Sequence, residues 1–128
     1  MSSEDALRRR IEALKLAAED GHAESMFLLA IAYAQGKGVP KDDVLAARWF
    51  HQAARRGHAR ARTSLAYMHF TGRGVRRDPV LAYVMCAQAA EEGDPLARDL
   101  MAKIRRAMTP VQLREAERRL RQSQLKRA

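Results

Sequence analysis

Residues 21–56 read GHAESMFLLAIAYAQGKGVPKDDVLAARWFHQAARR, and residues 57–92 read GHARARTSLAYMHFTGRGVRRDPVLAYVMCAQAAEE. Laid on one another at an offset of 36, fifteen positions are identical. Gly21-His22-Ala23 returns as Gly57-His58-Ala59, Gly36-Lys37-Gly38-Val39 as Gly72-Arg73-Gly74-Val75, and Asp42 as Asp78. The pair Ala53-Ala54 returns at Ala89-Ala90 and is already present one period earlier at Ala17-Ala18, while Gly93-Asp94-Pro95 repeats the opening weakly. A period of this length marks one supersecondary unit stacked on copies of itself.

Each unit reads as two helices. Met26, Leu29, Ala30 and Tyr33 fall at i, i+3, i+4 and i+7, one face of a first helix that starts after Gly21 and stops at the Gly-x-Gly-Val loop. Asp42 and Asp78 are placed to cap a second helix, with Pro79 at its first position, where a missing N–H does no harm. Ala46, Trp49, Phe50 and Ala53 make its inward face, matched by Ala82, Met85, Cys86 and Ala89. One such pair cannot bury its own apolar face, so neighbours must stack. The predicted fold is an all-α solenoid of antiparallel helix pairs, about seven helices and no sheet. Its expected organisation is a single domain over 1–128: an N-terminal capping helix (1–20), repeat 1 (21–56), repeat 2 (57–92), a partial repeat 3 (93–108) and a basic C-terminal capping helix (109–128). Leu7, Ile11, Leu14 and Ala18 form the stripe of the first cap, which departs from the repeat at Arg10, where the others have Ala46 and Ala82. Thr109-Pro110-Val111-Gln112 is a capping-box pattern, and Leu113, Ala116 and Leu120 form a narrow stripe after it, with Glu115–Arg119 and Glu117–Arg121 at pairing distance along the helix.

These residues resemble the Sel-one-like repeat family, a relative of the tetratricopeptide repeats. The family pattern is Ala-x3-Leu-Gly-x2-Tyr-x2-Gly-x-Gly-Val-x2-Asp-x3-Ala-x2-Trp-Tyr-x2-Ala-Ala-x2-Gly. Repeat 1 is similar to it through Leu29, Tyr33, Gly36, Gly38, Val39, Asp42, Ala46, Trp49, Ala53, Ala54 and Gly57, with Ser25 and Phe50 as departures. Repeat 2 is similar through Ala61, Leu65, Gly72, Gly74, Val75, Asp78, Ala82, Ala89, Ala90 and Gly93, and departs at His69, Met85 and Cys86. Ala97 and Met101 open a third, incomplete unit, and the stretch 108–113 is similar to the tail of bacterial members. The resemblance implies an adaptor that holds other proteins together and brings no catalytic residues with it. Some secreted members pair a disulfide in each repeat; the cysteines for that are absent here.

The composition narrows function further. With 47% hydrophobic and 30% charged residues the chain is globular rather than disordered. No stretch is apolar enough to span a membrane, the opening residues carry no secretion signal, and the one cysteine, Cys86, points to a reducing, cytoplasmic setting. Arginines outnumber lysines nineteen to five, which fits a GC-rich bacterial genome. The net charge is +9, of which +7 lies in residues 98–128, and residues 55–77 hold seven arginines and no acid. Such a surface is either a solvated helix face or a site for polyanions or acidic proteins.

Catalysis is not expected. His22 and His58 are equivalent positions at helix starts, His69 stands in a tyrosine slot, and no histidine pair has zinc-ligand spacing. The Gly-x-Gly loops end helices and lack the lysine of a phosphate loop. Cys86 sits on an inward face, where a thiol is inert. No catalytic, cofactor or metal site is therefore predicted.

A partner site is. Stacked repeats present their first helices on a concave surface, and a second apolar row runs along them: Phe27, Ile31 and Ala34 on one, Thr63, Tyr67 and Phe70 on the next. Together with Arg60, Lys103 and Arg106 at the flanks, these residues are the expected groove for a peptide or helix of a partner protein, an acidic one being favoured. The same row is core instead if the C-terminal helix or a second copy covers it. The alternative site, for nucleic acid or another polyanion, is Arg114, Arg118, Arg119 and Arg121; against it, no aromatic follows Tyr83 to stack on bases. An anionic membrane surface fits less well, because the tail's apolar stripe is narrow.

Overall fold

The computed structural model describes residues 2–127 and contains, among them, seven helices and no strand. Met1 and Ala128, the outermost residues of the two expected caps, lie outside the described residues. In chain order the helices are α1 (Ser3–Glu19), α2 (Ala23–Gln35), α3 (Asp43–Arg55), α4 (Ala59–Thr71), α5 (Pro79–Glu91), α6 (Ala97–Ala107) and α7 (Pro110–Arg127).

The local signals act as the sequence implies. Asp42 Oδ1 accepts the Leu45 N–H and Asp78 Oδ1 accepts the Leu81 N–H, both at 3.0 Å, so each second helix starts on a capped turn. Thr109 and Gln112 exchange bonds, Gln112 N–H to Thr109 Oγ1 at 3.1 Å and Thr109 N–H to Gln112 Oε1 at 2.9 Å, which is the capping box of α7. Gly36 and Gly72 end α2 and α4 in the left-handed region, at φ of 70° and 76°. The loop after each then folds back by the same bond, Asp42 N–H to Tyr33 O and Asp78 N–H to His69 O.

The third loop glycine of each unit is a seat. A Cβ built on Gly38 would meet Leu7 Cγ at 2.9 Å and Ile11 Cγ1 at 2.7 Å, and one built on Gly74 would run into the Asp43 carbonyl. Leu7 and Asp43 are themselves 36 positions apart. The same contact is thus made twice: a loop glycine receives the preceding second-type helix, and α1 takes the place that α3 takes one unit later.

Packing follows the stack. α2 packs along α1 and α3, α4 along α3 and α5, and α5 also against α6 and α7. Ala46 and Ala82 are fully buried because α3 and α5 each have helices on both sides. α1 has only α2 beside it, and the equivalent Arg10 is exposed. α2 is flanked twice, so Ala32, outside both expected rows, is buried along with Met26, Leu29 and Ala30. The last hairpin differs. α6 and α7, joined through Met108 and Thr109 rather than a seven-residue glycine loop, both lie on α5 and do not pack along one another.

Candidate partner-binding site

The repeat puts equivalent faces of successive first helices opposite each other. On α4 one face carries Arg60, Thr63, Ser64 and Tyr67; the positions 36 later are Leu96, the N-cap of α6, and Asp99, Leu100 and Lys103 along it. All eight line one open hollow of about 420 Å³, together with Ala34, Phe50, Met68 and Arg73. Its volume falls in the range of pockets that hold a small ligand or a few side chains. Tyr67 and Leu96 stand at the rim, 44% and 50% exposed, large apolar surfaces left in water.

The face explains why the hollow lies here. On α2 the matching residues are Glu24, Phe27, Leu28 and Ile31. Phe27, the counterpart of Thr63, lies 5.9 Å from the Phe50 ring and stacks on His58 at 4.4 Å, filling the seam between α2 and the start of α4. Thr63 is too small to do the same between α4 and α6.

Of the nine residues expected in the groove, Ala34, Arg60, Thr63, Tyr67 and Lys103 line this hollow together. Phe27 is engaged by Phe50 and His58, Ile31 faces a small cleft beside Leu7 and Leu14 of α1, and Phe70 packs half-buried against the core. Arg106 is exposed on α6 outside the hollow. Ser64, Leu96, Asp99 and Leu100 belong to the hollow and were not foreseen. Carrying the 36-residue offset from α4 into the third unit finds Leu96, Asp99 and Leu100; Ser64 is the neighbour of Thr63 on α4 itself.

Two joints hold the walls. His58 is the N-cap of α4: its Nδ1 accepts the Ala61 N–H at 3.0 Å and its Nε2 lies 2.8 Å from Glu24 Oε2. An accepting Nδ1 carries no proton, so Nε2 holds it and donates to the carboxylate. One period on, Arg60 Nε donates to Asp94 Oδ1 at 2.9 Å, and the same oxygen accepts the Leu96 N–H. Glu24 and Arg60 are equivalent positions, as are His58 and Asp94. The Asp94 side chain is 2% exposed, and its Oδ2 has no hydrogen-bond partner among the described residues. Burial pushes the Asp94 carboxyl up, but the neighbouring Thr63 hydroxyl, Arg60 and the Leu96 N–H outweigh it and hold the group below the ordinary carboxylate value. Beside the hollow, Asp43 is held below its usual value chiefly by Lys41 at 2.8 Å, against the opposing effect of burial, with Arg73 at 3.2 Å adding to the downward pull.

The remaining candidates are placed as follows. Cys86 is fully buried, and burial, helped by the Asp94 charge, pushes its thiol up to about 12, which keeps it protonated and unreactive. On α7, Glu115 binds both Arg118 (2.7 Å) and Arg119 (3.0 Å), and these two arginines hold its carboxyl down to about 2. The expected Glu117–Arg121 pair is not among the ion pairs of the described residues; Glu115 takes the neighbouring arginines instead. Arg114 and Arg121 are exposed. No group of three or more potential metal ligands occurs among the described residues, and no helix is long and apolar enough to cross a membrane.

Paired helices stacked at a fixed period, seated on loop glycines and lined by equivalent faces, define an α-solenoid repeat protein. Two Sel1 repeats match the family model at residues 23–58 and 59–94, more than half of the chain, and the chain belongs to the Sel1 repeat family. That frame starts two residues after the 21–56 and 57–92 units. The crystal structure of c5321, a protective antigen present in uropathogenic Escherichia coli strains displaying an SLR fold, is 32% identical with a TM-score of 0.88 over 95% of this chain. A Sel1 repeat protein from Oxalobacter formigenes is 32% identical with a TM-score of 0.68 over 71% of this chain. Helicobacter pylori cysteine rich protein B, at 24% identity and a TM-score of 0.67 over 70%, shares the fold. The alignment spans 26%, 37% and 68% of those three chains respectively. A search of curated proteins found no match. Sel1 repeats generally mediate protein–protein interaction, and theirs is a non-enzymatic scaffold fold.

Proposed function

We propose that this protein is an adaptor that binds a peptide or helix of a partner protein, an acidic one by preference, in the hollow between α4 and α6. The observation that carries this reading is the hollow itself: two equivalent helical faces, i, i+3, i+4 and i+7, stand opposite one another and expose Tyr67 and Leu96 at the rim. Aromatic anchors that a partner covers dominate binding energies. The groove extends to α2 only through Ala34: Phe27 packs behind it against Phe50, and Ile31, which turns to α1, and Phe70 lie outside it. The reading of a single repeat domain spanning the chain goes with it, as does a bacterial, cytoplasmic setting; the buried lone thiol of Cys86 suits a reducing compartment.

Binding of nucleic acid or another polyanion by Arg114, Arg118, Arg119 and Arg121 is the weaker reading, because Glu115 already engages the middle two. Affinity capture from the native cell separates the two. Tyr67→Ala, at an exposed side chain, is expected to lose a specific co-purifying protein while the melting temperature stays unchanged. Capture unaltered by Tyr67→Ala but abolished by Arg114→Ala with Arg121→Ala would overturn the groove.

A further inference from the structure

Three cationic side chains line the hollow, and two of them are held in place with donors to spare. Arg60 spends Nε on Asp94, and Arg73 spends Nη2 on Asp43. The Nη groups of Arg60 and the Nε and Nη1 of Arg73 have no partner among the described residues. A guanidinium fixed along one edge presents its other N–H groups at little further entropic cost, and that geometry suits a carboxylate. Lys103, on the opposite wall, has no partner among the described residues, and the one acid of the lining is Asp99, a turn away on the same helix. Between these charges the walls are Phe50, Tyr67, Met68, Leu96 and Leu100.

Resting on the groove reading above, we propose the chemistry of the occupant: a short acidic segment of another protein. It inserts one large apolar side chain into the hollow, between Tyr67 and Leu100. A carboxylate one or two residues away is held by Arg60 or Arg73 on one side and Lys103 on the other. The volume, about 420 Å³, is that of a socket for an anchor rather than a trough for a whole helix, because Phe27 closes the α2 side. With Asp94 and Asp43 behind the two arginines, attraction is short-range. The carboxylate therefore contributes specificity next to the anchor, not a general affinity for acidic chains.

Selection of a phage-displayed random peptide library on the full chain tests this. Enriched peptides are expected to carry a Leu, Phe or Trp with Asp or Glu beside it. They should lose about tenfold or more in affinity to Lys103→Glu and to Tyr67→Ala, each variant keeping its helical content and melting temperature. Peptides that need Tyr67 but are neutral or basic, or that bind Lys103→Glu as well as the parent, overturn the acidic occupant and leave the groove standing. Enriched peptides indifferent to Tyr67→Ala, or no enrichment at all, overturn the groove as well. A dimer of this chain that Tyr67→Ala dissolves would make a second copy the occupant and overturn the proposal.

Discussion

The joint between the first two repeats and the joint one unit later occupy equivalent positions and carry opposite polarity. In the first, His58 caps α4 and holds the acid Glu24; in the second, Asp94 accepts the Leu96 N–H in the turn before α6 and holds the base Arg60. The first is the more exposed at both ends: Glu24 is 69% exposed against 42% for Arg60, and His58 14% against 2% for Asp94. The repeat places at positions 58 and 94 a side chain that accepts a backbone N–H at or just before a helix start. It leaves the sign of the partner open, and burial decides how much the choice matters.

The loop glycines offer the sharpest way to break this parallel. Gly74→Ala puts a Cβ into the backbone of Asp43 at a positive φ, which cannot yield without moving α3. Its expected cost is on the order of 2–5 kcal/mol, the sum of left-handed strain and overpacking. Gly38→Ala meets only the side chains of Leu7 and Ile11 and is expected to cost less, whereas Gly57→Ala has open space and only the strain to bear. Urea unfolding of the three variants should rank them in that order.

Asp94→Ala comes next. It strips Arg60 and the Leu96 N–H of their acceptor and is expected to cost about 2–3 kcal/mol in the same measurement. The hydrogen-bonded Asp94 also predicts a pH effect of definite sign. Its native pKa is depressed, so its contribution is complete above the unfolded value near 3.9 and is lost as pH falls through the lower native value. Melting temperatures followed from about pH 6 downward should fall below about pH 4, and Asp94→Asn should flatten that fall. An equal fall in both proteins would assign it to other carboxylates.

His58→Ala is expected to cost about 1–2 kcal/mol, through the lost cap and the lost stack on Phe27. Glu24→Ala, at the exposed end of the same joint, should cost less than about 1 kcal/mol. If His58→Ala, the substitution equivalent to Asp94→Ala, costs more than Asp94→Ala, burial is not what separates the two joints.

Most of the fold was legible because its signals are local and repeated. The caps at Asp42, Asp78 and Thr109, the glycine stops at Gly36 and Gly72, and the alanine pairs each state a helix boundary or a close approach within a few residues. The candidate site was half legible. Helical periodicity places Phe27, Thr63 and Tyr67 on one row but does not say what stands across from each. Phe27 goes to Phe50 and His58, Ile31 turns to α1, and the wall supplied by α6 depends on where a helix outside the two clear repeats comes to rest. The uneven reach of the hollow follows from one size difference, Phe27 against Thr63, which no period encodes.

The reversed polarity of the two joints has a bearing on how such a chain can be rearranged. Units of equal length look interchangeable, yet excising residues 57–92 would bring Glu24 face to face with Asp94, two anions in one clasp. Inserting a second copy of that stretch would set an arginine against the histidine that follows it. Each module therefore carries an address as well as a shape, and recombination between them is penalised at the seam even where the helices would superpose.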